Sequence, residues 1–351
     1  MPPAIGGMAT VLDNLSKSTL VNFCHVVFWN TAKETPTNRS IFSAIKMRLE
    51  IWWRFYKTLK QEQPDYVHIH TCSGFITFFL DASFALIARW CGIPYFVHIH
   101  GGKFKEFLNG LSKIKLKFVL SILKKAKNVI ALTPEWQVIF EKNWQMKNVN
   151  VLFNGVPNSH FERMDSSGEP HILYMGQIWS RKGVKDLIKA FALADSNEAV
   201  LHLAGDFGGD ITHDEIETYI EQFPSVTKKI IIEGPVMGGR KQTLMENCDI
   251  FCLPSYAEGL PMVVLEAMSY KQAVLTTTVG GLPGLIHHGL NGLLTNPGDI
   301  EAISQGITTL IKNKENRLHI AQQGYKTFIE KYSIDTCLLY TSDAADDLLC
   351  V

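Results

Sequence analysis

The chain has 351 residues, 46% of them hydrophobic and 19% charged, which describes an ordinary globular protein long enough for two domains with a core in each. No apolar run reaches the roughly 18 residues needed to cross a bilayer, and no signal peptide opens the chain. The net charge of zero conceals an asymmetry: residues 1–160 carry 19 Lys and Arg against 9 Asp and Glu, and the remainder 15 against 25. A basic first half beside an acidic second half points to an anionic surface met by the first half alone, and argues against the continuous basic channel of a nucleic-acid binder. The seven cysteines show no paired metal spacing, and several fall in apolar segments, as expected of reduced core thiols in a cytoplasmic protein.

In chain order, residues 1–7 read as a loop leading into a helix from about Met8 to Ser16. No strand precedes that loop, although an α/β domain normally begins with one. A strand is expected at about Asn22–Phe28, then a long basic, aromatic helix over Ile41–Lys60. There follow a strand at Asp65–His70, an apolar helix through Ala82–Cys91, a strand at Pro94–His100 and a Lys-rich helical stretch from Lys103 to Lys127. Strands at Asn128–Leu132 and Asn148–Phe153 bracket a helix from Pro134. Short apolar strands alternating with helices imply a parallel sheet covered on both faces. A turn at Asn154-Gly155 and the polar stretch Arg163–Pro170 look like a domain boundary. The alternation then restarts, with strands at 171–175, 200–204, 229–233, 249–253 and 273–277.

One stretch concentrates the chemistry. A buried strand (Ile250–Leu253) leads through a loop containing Glu258 to an apolar helix that opens at Leu260-Pro261 and carries Glu266. Proline suits the first helical position, whose N–H lacks an intrahelical partner anyway. A carboxylate in a helix that is apolar nearly all round is costly unless something binds it. Glu258 precedes a helix N-terminus, where free amides and the helix dipole favour an anion. A carboxylate at an anion site, with a second one deeper, suits a ligand with both phosphate and hydroxyls. Spacing alone also allows a loop carboxylate and a solvated helical one.

The residues around the pair, Pro254-Ser255-x-x-Glu258-Gly259-Leu260-Pro261-x-x-x-Leu265-Glu266-Ala267-Met268 and then Val279-Gly280-Gly281-Leu282-Pro283, resemble the signature of retaining nucleotide-sugar glycosyltransferases of the GT-B fold, the group 1 family. The resemblance covers about residues 4–335. It implies two doubly wound Rossmann-like α/β domains facing across a cleft, an acceptor-side domain over 1–162 and a nucleotide-sugar domain over 163–336. It also implies that the first strand and the closing C-terminal helix are missing. Residues 337–351 resemble the translation of a sequencing adapter and are expected to be a non-native tail.

By the same resemblance, Gly6 and Gly7 approach the donor phosphate, Lys182 holds the diphosphate, and Pro235-Val236 lie in the base-binding loop. Glu266 accepts hydrogen bonds from the ribose, and Glu258 contacts the donor sugar beside Gly259, Leu260 and Pro261. His100, in His100-Gly101-Gly102, faces that sugar. Gln177 stands where the family carries an arginine; Arg181 is the candidate to compensate. No Asp-x-Asp element of the metal-dependent transferases occurs, so Lys182, Arg181 and the helix start are expected to stabilise the leaving diphosphate without metal or cofactor. Catalysis is thus expected to rest on His100, Lys182 and Glu258, with a glycan or lipid-linked acceptor. The basic, aromatic helices 41–60 and 103–127 suit an anionic membrane at the inner face of the cell membrane. Two other readings stay open: a sugar-nucleotide-binding relative with weak activity, and a metal-dependent hydrolase built on His68 with His70 and His98 with His100, since residues i and i+2 of a strand share a face.

Overall fold

The structure is a computed structural model that describes residues 7–18, 20–29, 41–101, 104–163, 168–194, 196 and 198–337. Backbone packing divides the chain into two compact units, with the break between Asn154 and Gly155 and the second unit ending at Thr336.

The first unit contains α1 (Gly7–Lys17), α2 (Leu20–Phe23), α3 (Ile41–Glu62), β1 (Val67–Thr71), α4 (Phe75–Trp90), β2 (Tyr95–Ile99), α5 (Phe104–Asn109), α6 (Lys113–Lys125), β3 (Asn128–Ala131), α7 (Pro134–Trp144) and β4 (Val149–Val151). The four strands form a parallel sheet in the order β1-β2-β3-β4. All five residues of β2 are buried, as a strand covered on both faces requires. Tyr95 lies in that core, and its hydroxyl donates to the Ile122 carbonyl of α6 at 2.7 Å.

Two expectations fail here. The strand over Asn22–Phe28 is not formed: Leu20–Phe23 is a helical turn and residues 24–29 carry no regular structure. Val21 and Val27 are exposed, and no strand among the described residues pairs with the segment. Strand propensity expresses packing on a pleated, half-buried surface, and without that surface Val26-Val27-Phe28 has no ladder to join. The helical stretch over Lys103–Lys127 is two helices, α5 and α6, separated at Gly110, because glycine in a helix interior loses more backbone entropy than any other residue. Lys103 itself lies outside the described residues.

The second unit contains β5 (His171–Met175), α8 (Val184–Leu193), β6 (Val200–Ala204), α9 (His213–Glu221), β7 (Ile230–Gly234), α10 (Gly238–Asn247), β8 (Ile250–Leu253), α11 (Met262–Ser269), β9 (Ala273–Thr277), α12 (Leu282–Leu285), β10 (Leu293–Thr295), α13 (Ile300–Lys312) and α14 (Lys314–Lys331). Its parallel sheet has the order β10-β9-β8-β5-β6-β7. The chain builds outward from β5 through β6 to β7, then returns to the other side of β5 with β8 and continues to β10. Connections therefore depart in opposite directions from β5 and β8, and the crevice at their carboxyl ends is the topological switch point where doubly wound sheets bind ligands. β6, β8 and β9 are buried throughout. The sequence reading missed only β10, three residues long.

Candidate active site

The loops that leave β5, β8 and β9 are locked to one another by main-chain contacts. Gly183 sits at φ +71°, and a Cβ there would meet the Pro254 carbonyl oxygen at 2.1 Å. Tyr256 N–H donates to the Arg181 carbonyl at 2.8 Å, tying the loop after β8 to the loop after β5. On the other side, Gly281 N–H donates to the Gly259 carbonyl at 2.7 Å. Gly280, at φ +57°, passes so close that a Cβ would lie 2.0 Å from the Glu258 carbonyl oxygen. Glycine alone meets both demands, a left-handed backbone and no side chain at the contact.

This frame holds Lys182 Nζ 2.5 Å from Glu258 Oε1, with the two side chains only 14% and 8% exposed. The pair stands at the switch point, one partner from the end of β5 and the other from the end of β8. α11 follows at once; it buries Met262, Val264, Leu265, Ala267, Met268 and Ser269 and leaves the Glu266 side chain 13% exposed. The helix begins at Met262, one residue later than expected. Pro261 is its N-cap, with an extended backbone and no side-chain cap, and Leu260 is buried beside it. A carboxylate so withdrawn from water needs a cation, and Lys241 of α10 supplies one, its Nζ 2.7 Å from Glu266 Oε1.

The other candidates fall into three groups. Gln177 is half-buried in the loop after β5, and its carbonyl accepts from the Tyr174 hydroxyl at 2.7 Å. Arg181 is exposed, with its guanidinium 4.7 Å from the centre of the Trp179 ring. Pro235 and Val236 connect β7 to α10, next to Glu233, which is buried against His202 (2.8 Å) and paired with Arg240. In the first unit, Gly7 opens α1, whereas Gly6 lies outside the described residues. His100 follows β2; its N–H donates to the Thr71 carbonyl at 2.9 Å and its Nε2 lies 2.8 Å from His70 Nδ1. Burial, reinforced by His68, pushes the His100 imidazole down to about 3, so it is neutral at neutral pH.

Lys241 is the residue that sequence reading missed. It stands 25 positions from its partner, in a helix start whose only local signal is the polar run Gly239-Arg240-Lys241-Gln242. Nothing short-range connects that run to Glu266.

Two parallel-sheet α/β units, the second doubly wound with a lysine–glutamate pair at its switch point and the first, against expectation, with its described strands in one unreversed order, are the architecture of a glycosyltransferase of the GT-B class. The family model of glycosyl transferases group 1 matches residues 157–327, and that of glycosyltransferase family 4 matches residues 5–160. The chain belongs to the group 1 glycosyltransferases. An uncharacterized glycosyltransferase of Methanocaldococcus jannaschii is 25% identical over 95% of this chain and 92% of its own length. A capsular polysaccharide biosynthesis glycosyltransferase of Staphylococcus aureus is 28% identical over 46% of this chain and 41% of its own. Among solved structures, Anabaena HepE in complex with UDP-glucose superimposes with a TM-score of 0.71 at 20% identity, covering 90% of this chain and 86% of that one. The lipopolysaccharide outer core galactosyltransferase WaaB gives 0.67 at 20% identity over 98% and 97%. No helix among the described residues is long and apolar enough to cross a membrane.

Proposed function

We propose that this glycosyltransferase moves a hexose from a UDP-sugar to a hydroxyl of a glycan or lipid-linked acceptor during assembly of a cell-surface polysaccharide or glycolipid. Retention of configuration, with neither a metal nor a cofactor at the donor diphosphate, completes the reading. The observation that carries it is the nearly buried Lys182–Glu258 pair at the switch point of the second sheet. A lysine neutralised by a displaceable carboxylate is a diphosphate site in waiting: donor binding draws the ammonium to phosphate and frees the carboxylate for sugar hydroxyls. The N-terminus of α11 at Met262, reached through Gly259, Leu260 and Pro261, has no side-chain cap and adds its first main-chain N–H groups and helix dipole for the same charge.

In this reading Glu266 accepts from the ribose hydroxyls, and Lys241 pairs with its carboxylate in a site mostly withdrawn from water. Pro235 and Val236 border the base, Gly6 and Gly7 approach the phosphates, and His100 faces the donor sugar, as the family resemblance implies. As the acceptor oxygen bonds to the anomeric carbon, the carbon–oxygen bond to the diphosphate breaks, and the departing phosphate oxygen takes the acceptor's proton. Lys182 stabilises the charge that develops there. Gln177 leaves the arginine position without a cation, and the exposed Arg181, one residue from Lys182, is the replacement within reach of the same loop.

Two names support the ligand classes: HepE was solved with UDP-glucose, and the staphylococcal relative is named for capsular polysaccharide biosynthesis. A peripheral contact with an anionic membrane at the inner face of the cell membrane completes the proposal. Its support is the surface of the first unit, where Phe42, Ile45, Leu49 and Trp53 of α3 and Ile114 of α6 are exposed among lysines. Calorimetric titration of UDP-, GDP- and ADP-sugars, with chelator present, tests the donor site. Binding of the UDP-sugar that survives chelation and is lost in Glu266→Ala is the expected result. Absence of binding by the folded wild type overturns the donor assignment.

A further inference from the structure

Four imidazoles crowd one face of the first unit's sheet. Residues i and i+2 of a strand point the same way, so His68 and His70 on β1 form one column, and His98 and His100 at the end of β2 form another. β1 and β2 pair in parallel, with His70 directly opposite His98, which brings the columns together. Ring centres are 4.4 Å apart for His68–His70, 5.4 Å for His68–His98, 5.1 Å for His70–His98 and 4.1 Å for His98–His100.

Hydrogen bonding does not account for this cluster. His70 Nδ1 and His100 Nε2 share one bond of 2.8 Å. Both ring nitrogens of His98, a residue only 2% exposed, are buried without a partner, and so is His68 Nε2. Each buried polar atom left without a partner costs about 1–3 kcal/mol, and native cores seldom gather three at one place. Aliphatic side chains would fill the same sheet face at no such cost.

We propose that His68, His70 and His98 form a three-histidine site for a divalent transition metal, with zinc as the first candidate. One ring nitrogen from each of the three lies within 4.8 Å of the others. Zinc–nitrogen bonds of 2.0–2.1 Å require tetrahedral edges of about 3.4 Å, so ring rotations that move each nitrogen by about an ångström close the site. The His70–His100 bond fits the same assignment. It occupies Nδ1 of His70 and leaves Nε2 for the metal, and a ligating histidine characteristically donates its other N–H to an outer partner. Neutral imidazoles suit zinc, copper, nickel or iron, and the absence of carboxylate or thiolate in the triad disfavours magnesium and calcium. A metal here ties β1 to β2 and uses the lone pairs that the fold leaves orphaned. All three ligands belong to the first unit, so the site stands or falls independently of the donor residues Lys182, Glu258 and Glu266.

The test uses the full chain, free of any affinity tag, stripped with chelator and titrated with zinc ions alone. Among the described residues, the other cluster able to bind a metal is the exposed group His213, Asp214 and Glu217, so His213→Ala serves as the control. One equivalent is expected to bind wild type and His213→Ala alike, and His68→Gln and His98→Gln are expected to weaken binding at least 100-fold. X-ray absorption of zinc-loaded wild type then needs no variant to fold: three imidazoles in the coordination shell support the site. A shell of one imidazole with carboxylate oxygens, loss of the equivalent in His213→Ala, or no tight equivalent in wild type overturns it.

Discussion

At the scale of single residues, the second unit solves two problems of buried charge in the same way. Glu258 and Glu266 each stand almost out of water, and each is met by one lysine. Removing one partner from such a pair leaves the other uncompensated, which costs more than the pair itself contributes. Lys182→Ala is therefore expected to lower kcat about 100-fold, the scale of losing one donor to a developing oxyanion, with a smaller change in donor affinity. Steady-state kinetics with a UDP-sugar checks this, and an unchanged kcat removes Lys182 from the reaction. A different carboxylate behaves oppositely. Burial pushes Asp81 on α4 from its ordinary 3.8 up to about 6, against the lowering effect of a 2.8 Å hydrogen bond donated by Thr71 and of Arg48. Its folded pKa lies above its unfolded value, so the protonated form favours the fold. The stability it contributes is full below about pH 4 and is lost as pH rises through about 6. Asp81→Asn keeps the bond from Thr71 and carries no charge. After allowance for partial exposure, it is expected to raise stability by about 1–2 kcal/mol at pH 8 and not at pH 4, read from urea midpoints across that range.

At the scale of elements, the proposed donor site is framed by loops, with Glu266 and its partner Lys241 added from α11 and α10. The loops after β5, β8 and β9 meet through Gly183 and Gly280, both left-handed and both without room for a Cβ. In Gly183→Ala the added methyl would face the Pro254 carbonyl oxygen at 2.1 Å, so the two loops must separate. A loss of stability of about 1–3 kcal/mol and a loss of UDP-sugar affinity of at least tenfold are expected together, by thermal unfolding and by calorimetry. Full affinity in that variant would show that the loops need not touch to build the site. The elements of the second unit were the easiest to read from the chain. Residues 171–175, 200–204 and 273–277 are short, mostly apolar stretches, and their strands have those bounds. β10 is three residues, Leu293 to Thr295, and carries no periodicity to detect. The misread strand over Asn22–Phe28 shows the converse: β-branched and aromatic residues in a row without a neighbour to pair with.

For the molecule as a whole, the division of charge is the clearest global feature. The excess of 10 positive charges in residues 1–160 accompanies exposed aromatic and aliphatic side chains on α3 and α6, including Phe42 at 84% and Ile114 at 84% exposure. Lysines pack on rings of this surface, Lys57 over Trp53 at 5.5 Å and Lys115 over Phe75 at 4.7 Å, so cation and apolar surface are presented together. Co-sedimentation with vesicles containing phosphatidylserine or phosphatidylglycerol is expected, with little binding to phosphatidylcholine alone. Each lysine or arginine near an anionic surface contributes about 1 kcal/mol, and salt screens that attraction, so raising it to 0.5 M should release most of the protein. Equal binding to neutral vesicles, or none to either, would remove the membrane from the proposal.

The sequence by itself determined the α/β alternation, the family and the candidates Lys182, Glu258 and Glu266. Apolar periodicity and a long local motif are properties of neighbouring residues and survive without coordinates. Which charges neutralise those glutamates was decided only by the tertiary structure. The Lys182–Glu258 contact spans 76 positions and exists because the sheet order places β8 beside β5; Lys241 on α10 reaches Glu266 on α11 across 25 positions. The histidines divide the same way. Their i, i+2 spacing is visible in the chain, but the register that sets His70 against His98, and the burial that leaves three ring nitrogens without partners, belong to the folded sheet. Local patterns specify elements; long-range pairing and desolvation, which no local pattern encodes, turn those elements into sites.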